Sequence, residues 1–196
     1  AATPLATMFP PAPGTFVYDP KVLFDQASGR FFIVVLEVGF AGATCTSALV
    51  SNRIRIAVST SATPGNLTTN WTFLAGGGLL VIGGATTWAD YPSIGADSDS
   101  VFVTTNQFDA VCTYRGANIR VFNKAALLAG AYPFVDVTFN NAVTTGTFTL
   151  QPAHVFGATD NGGFYLISRF GPAQYRIYNI MGDPGAPVAT TGLFPW

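Results

Sequence analysis

The feature that most constrains the fold is an internal repeat, because three stretches of the chain align with one another. The first opens Asp19-Pro20-Lys21-Val22-Leu23-Phe24-Asp25, continues through Gly29-Arg30-Phe31-Phe32 and later reads Ile54-Arg55-Ile56. The second opens Asp90-Tyr91-Pro92-Ser93-Ile94-Gly95-Ala96-Asp97, continues through Val101-Phe102-Val103 and later reads Ile119-Arg120-Val121. The third opens Gln151-Pro152-Ala153-His154-Val155-Phe156, continues through Gly163-Phe164-Tyr165-Leu166 and later reads Tyr175-Arg176-Ile177. Each unit is a Pro-led strand, a turn, an aromatic-rich strand and a strand centred on arginine. A fourth strand follows near Trp71, near 134–139 and near 187–194.

Four short antiparallel strands per repeat predict an all-β β-propeller of three four-stranded blades, at about residues 16–82, 88–140 and 147–194 of one domain spanning 1–196. The inner strands are expected to start near Asp19, Tyr91 and Gln151. Trp71, Phe32, Phe102 and Tyr165 are expected between blades, where large side chains fill the space between facing sheets. The only helical stretch is 123–129, closed by Gly130. Propellers close with about four to eight blades. The expectation is therefore a partial propeller, completed by further blades of the same polypeptide or by partner subunits that cover the open edges.

Only 10% of residues are charged while 49% are hydrophobic, and the net charge is −1. Lys21 and Lys124 are the only lysines. Such a chain offers no electrostatic footprint for nucleic acid. Its apolar runs fall short of the roughly 20 residues that cross a bilayer, so no membrane span is expected. Strands carried by Thr rather than by long charged side chains suit a secreted or cell-surface protein. Cys45 and Cys112 occupy the same loop of adjacent units, which predicts a disulfide between them in an oxidising compartment; two buried free thiols are the alternative.

The blade openings at Asp19 and at Trp88-Ala89-Asp90-Tyr91-Pro92 resemble those of bacterial secreted proteins of the sialidase-like propeller type. Residues 59–71, a polar turn closing on Trp71, resemble a degenerate Asp-box that lacks its aspartate. The resemblance covers roughly residues 16–180. It implies the fold, and it raises a glycoside hydrolase, sialidase-like or arabinanase-like, in which a carboxylate before the inner-strand proline is catalytic.

On that reading Asp19, Asp90 and Glu37 would divide acid and base roles in the channel. The plainer reading has the two aspartates capping turns and Glu37, the only glutamate, pairing with an arginine. Arg55, Arg120 and Arg176 could converge on a substrate carboxylate, but third-strand positions suit a ladder of hydrogen bonds between blades. His154, the only histidine, is a channel-facing candidate, and a single histidine cannot build a histidine metal cluster. No metal or cofactor is expected, although the acidic turn Asp97-Ser98-Asp99 could contribute to a calcium site. Asn66-Leu67-Thr68 and Asn70-Trp71-Thr72 match the N-glycosylation sequon. Taken together the residues read as a noncatalytic extracellular scaffold or protein–protein interaction module. A glycoside hydrolase and a structural subunit of a larger extracellular assembly are the alternatives.

Overall fold

The computed structural model describes residues 4–42, 47–142, 146–156, 163–170 and 173–195. The described chain is all-β, with three antiparallel sheets in sequence order. The first holds β1 (Phe16–Asp25), β2 (Arg30–Phe40), β3 (Leu49–Ser59) and β4 (Trp71–Gly77). The second holds β5 (Leu80–Ile82), β6 (Ala85–Ala96), β7 (Ser100–Asp109), β8 (Tyr114–Asn123) and β9 (Phe134–Asn140). The third holds β10 (Phe148–Pro152), β11 (Phe164–Arg169), β12 (Gln174–Met181) and β13 (Val188–Pro195). Every strand pairs only with its sequence neighbours, so each sheet is a simple meander. The expectation of twelve strands in sheets of four is corrected at β5. This strand pairs with the start of β6 through the Gly83-Gly84 turn and makes the middle sheet five-stranded.

Aspartates set the hairpins. Asp25 Oδ2 accepts hydrogen bonds from the Ser28 amide and hydroxyl, and Asp109 Oδ1 accepts from the Val111 and Thr113 amides. These are the local carboxylate-to-backbone bonds that favour turns over strand continuation. One short helix, α2 (Lys124–Leu128), follows β8, with the Asn123 side chain accepting from the Ala126 amide as its cap. A second, α1 (Leu5–Met8), was not evident from the sequence.

The sheets stack face to face. Leu23, Phe32, Val34 and Ile56 of the first sheet pack against Ile94, Val101 and Val103 of the second. The opposite face of the second sheet, with Phe102, Ile119 and Val121, packs against Leu150, Phe164 and Tyr178 of the third. Phe102 and Phe164 lie flat on one another, with ring centroids 3.9 Å apart. The burial patterns follow from this stack. β7 is buried along nearly its whole length, because it has a sheet on each side, whereas β11 alternates strictly between buried and exposed. Tyr165 is therefore a correction: it is 48% exposed, since among the described residues the third sheet is packed on one face only. Phe32 and Phe102 are buried between sheets as expected; Trp71 is a further correction, for it is buried beside Phe9 on the outer face of the first sheet and not between two sheets.

Strand registers correct the repeat alignment. Val34 pairs with Lys21 and Ile56, Thr104 with Ser93 and Ile119, and Ile167 with Gln151 and Ile177. Counting outward from these triplets, Pro20 and Pro92 are equivalent, but their counterpart in the third sheet is Leu150, two residues before Pro152. Asp19 is equivalent to Tyr91 and Thr149, whereas Asp90 matches Tyr18. Arg55 and Arg176 are equivalent, while Arg120 lies two residues further along its strand.

Candidate functional site

The three sheets share one irregularity. Register shifts fall between Tyr18 and Lys21 in β1, between Asp90 and Ser93 in β6, and between Phe148 and Gln151 in β10. At these bulges Asp19, Tyr91 and Thr149 have φ of 48°, 49° and 55°. A left-handed conformation at a non-glycine residue costs of order 1 kcal/mol or more, and it persists only where the surroundings impose it. At Thr149 the imposing group is Asn106: the Thr149 amide donates to its Oδ1 and its Nδ2 donates to the Thr149 hydroxyl. Asp19 and Asp90 therefore lie within β1 and β6, at the bulges, rather than ahead of the strands.

Bulging re-aims side chains out of the pleat. Two rows of equivalent residues result along β1, β6 and β10: Asp19, Tyr91 and Thr149, then Lys21, Ser93 and Gln151. Side chains of these rows touch from one sheet to the next. Lys21 Nζ sits 5.0 Å from the centre of the Tyr91 ring, and the Ser93 hydroxyl donates to Gln151 Oε1 at 3.1 Å. Tyr91 is exposed. Below them the Tyr18 hydroxyl donates to the Ala89 carbonyl at 2.6 Å. Burial, followed by the Asp90 and Asp19 carboxylates, holds that phenol well above its ordinary range. Asp90 is itself pushed up, chiefly by burial and further by the charge of Asp19, with the Tyr91 amide opposing. A carboxyl that keeps its proton to higher pH beside a second carboxylate can donate and accept hydrogen bonds at one place.

Glu37 stands apart from this pair. It is buried; its carboxylate accepts from the Ala12 amide, the Thr15 hydroxyl and Arg55 Nη1 at 3.1, 2.7 and 3.0 Å. Burial alone would raise its pKa, but these bonds outweigh it and leave the group below its ordinary value. Glu37 thus anchors the N-terminal segment to the first sheet. Arg120 makes a two-pronged pair with Asp136 and donates to the Gly77 carbonyl of the preceding sheet. Arg55 reaches Glu37 and the Pro10 carbonyl, and Arg176 reaches Thr147. Arg120 therefore bridges sheets in the expected way, whereas Arg55 ties the N-terminal segment to its own sheet.

His154 is exposed beyond the end of β10, stacked on Phe156 at 6.4 Å between ring centres. Asp97 Oδ1 accepts from the Asp99 and Ser100 amides, and among the described residues no three His, Cys, Asp or Glu side chains come together for a metal ion. Asn66 is exposed in a turn in which its Oδ1 accepts from the Thr68 and Thr69 amides. Cys45 lies outside the described residues; Cys112 lies in the β7–β8 turn with φ of 56°. No helix is long and apolar enough to cross a membrane among the described residues. The bulge rows were invisible in the sequence, because the third carries Thr149-Leu150 where the others carry a residue and proline.

The chain matches no family model and no curated protein.

Proposed function

We propose that this chain is a run of three β-propeller blades and serves as a noncatalytic extracellular scaffold, binding its ligand along the aligned bulges of the inner strands. The observation that carries the reading is the repeated left-handed bulge. Three sheets hold the same strained position, and the two rows of residues there combine an exposed aromatic ring, one carboxyl, an ammonium, a carboxamide and two hydroxyls, with the Asp90 carboxyl close enough to Asp19 to feel its charge. That set suits a neutral polyhydroxyl ligand such as an oligosaccharide, which stacks on Tyr91 and exchanges hydrogen bonds with Asp19, Ser93 and Gln151. The consecutive meanders, packed face to face with β1, β6 and β10 in contact, support the blade assignment; β5 is then an addition to the inner edge of the middle blade. Low charge and Thr-rich strands support a secreted or cell-surface setting, and a Cys45–Cys112 disulfide would belong to it.

Asp90, with its raised pKa beside Asp19, favours a second reading as a glycoside hydrolase. Assays on an arabinan and on a sialoside separate the two. The scaffold reading expects no turnover and expects calorimetric binding of a neutral oligosaccharide that weakens at least tenfold in Tyr91→Ala. Turnover that disappears in Asp90→Asn would replace the scaffold with the hydrolase.

A further inference from the structure

The exposed apolar residues at the two ends of the stack occupy the same repeat positions as residues buried at its internal interfaces. On the open face of the third sheet, Tyr165 and Ile167 are 48% and 42% exposed, while their equivalents Phe32 and Val34 are 0% exposed. On the open face of the first sheet, Val22 and Phe24 are 62% and 42% exposed, while their equivalents Ile94 and Ala96 are 5% and 7% exposed. The first face is partly covered by Leu5, Met8 and Phe9, which pack on Val35, Ala57 and Trp71. A hollow bounded by Val22, Phe31, Ile33 and Trp71 stays open beside that cover. The third face carries a second apolar hollow, lined by Ala153, Tyr165, Ile167 and Ile177.

These two faces are complementary in kind. Within the chain, a face of the Tyr165 class meets a face of the Phe31 class twice. Phe32 and Val101 meet in the first interface, and Phe102 and Phe164 stack in the second, where Phe164 is equivalent to Phe31. The open face of the third sheet is thus the next member of that series, and among the described residues the surface that matches it is the open face of the first sheet.

We propose that a second copy of this chain supplies it, the third sheet of each copy packing on the first sheet of the other, with Tyr165 against the partner copy's Phe31 position. Two such contacts related by a two-fold axis close a ring of six blades, within the range of about four to eight that propellers adopt. This rests on the blade reading above. It removes both apolar faces from water at once, whereas a contact between two third sheets would leave both first sheets exposed.

Sedimentation equilibrium of the whole chain tests it, with an expected mass of twice 20.6 kDa. Ile167→Glu and, independently, Val22→Glu change residues already exposed in the single chain, so each is expected to keep its circular dichroism and to sediment as one chain. A wild-type mass of one chain, or a dimer that both variants retain, would overturn the proposal. Hydrogen exchange judges the blade reading separately. The amides of β7, sandwiched between two sheets, should exchange only by global unfolding; fast exchange there in the wild type would sink the stack of blades itself, whatever the mass.

Discussion

At Glu37 three donors converge on one buried carboxylate, and that geometry has a pH signature. Its folded pKa lies below the ordinary 4.5. The stabilisation is therefore complete above the unfolded value and is lost as pH falls through the folded one. Glu37→Gln should cost about 2 kcal/mol at neutral pH, less than a fully buried pair because Arg55 keeps contact with water. It should also flatten the acid limb of stability below about pH 4.5, as read from urea unfolding at a series of pH values. An unchanged acid limb would mean that the carboxylate is not held as described. The sequence did supply the pairing with an arginine, because a lone acid in an apolar strand has few other ways to be buried. It did not supply Ala12 and Thr15, which reach Glu37 only after the chain has turned back upon itself. Asp19 and Asp90 look like one repeated residue because each stands shortly before the inner-strand proline; Asp19 adjoins Pro20 while Tyr91 separates Asp90 from Pro92, so the two aspartates are offset by one position.

Elements in this chain are specified mainly by what faces them. The aromatic strands were legible, since Phe32 and Phe102 recur at one repeat position and both are buried between sheets. Tyr165 shares that position and is exposed, so sequence equivalence identified the face but not whether a neighbour covers it. The five-stranded middle sheet was not legible either, because Leu80-Val81-Ile82 is too short to distinguish from the tail of the preceding unit. Close approach of the second and third sheets depends on Gly95: a Cβ there would meet Phe164 Cζ and Pro152 Cβ at 2.6 Å each. Gly95→Ala should accordingly cost about 1–3 kcal/mol by overpacking, and Phe102→Ala about 3–5 kcal/mol by leaving a cavity against Phe164. Chemical denaturation checks both. A loss well under 1 kcal/mol in each variant would mean that the third sheet does not pack on the second through these residues.

Across the whole molecule, the first two sheets are held by side chains that reach far along the sequence. Lys124 Nζ, buried after β8, pairs with the Asp25 carboxylate in the first sheet at 3.0 Å and donates to the Asp97 carbonyl. The other end of the same interface is closed by aromatic rings. Trp88 meets Phe40, at the end of β2, and Phe108, near the end of β7, at 5.5 and 5.8 Å between ring centres. Because both strands run to one indole, the end of β2 and the end of β7 lie on one side of the interface. Cys112 lies in the β7–β8 turn and Cys45 falls between β2 and β3 in the sequence. A disulfide between them would fasten the sheets opposite the Lys124 pair, and closing the intervening segment would restrict the unfolded chain by about 4 kcal/mol in the entropy model. The expected result is that denatured, unreduced protein shows no titratable thiol. Reduction, or Cys112→Ser, should then lower the unfolding midpoint while leaving the strand signature of the folded state intact. Two reactive thiols in the unreduced chain would remove this clamp, and with it one support for an oxidising compartment.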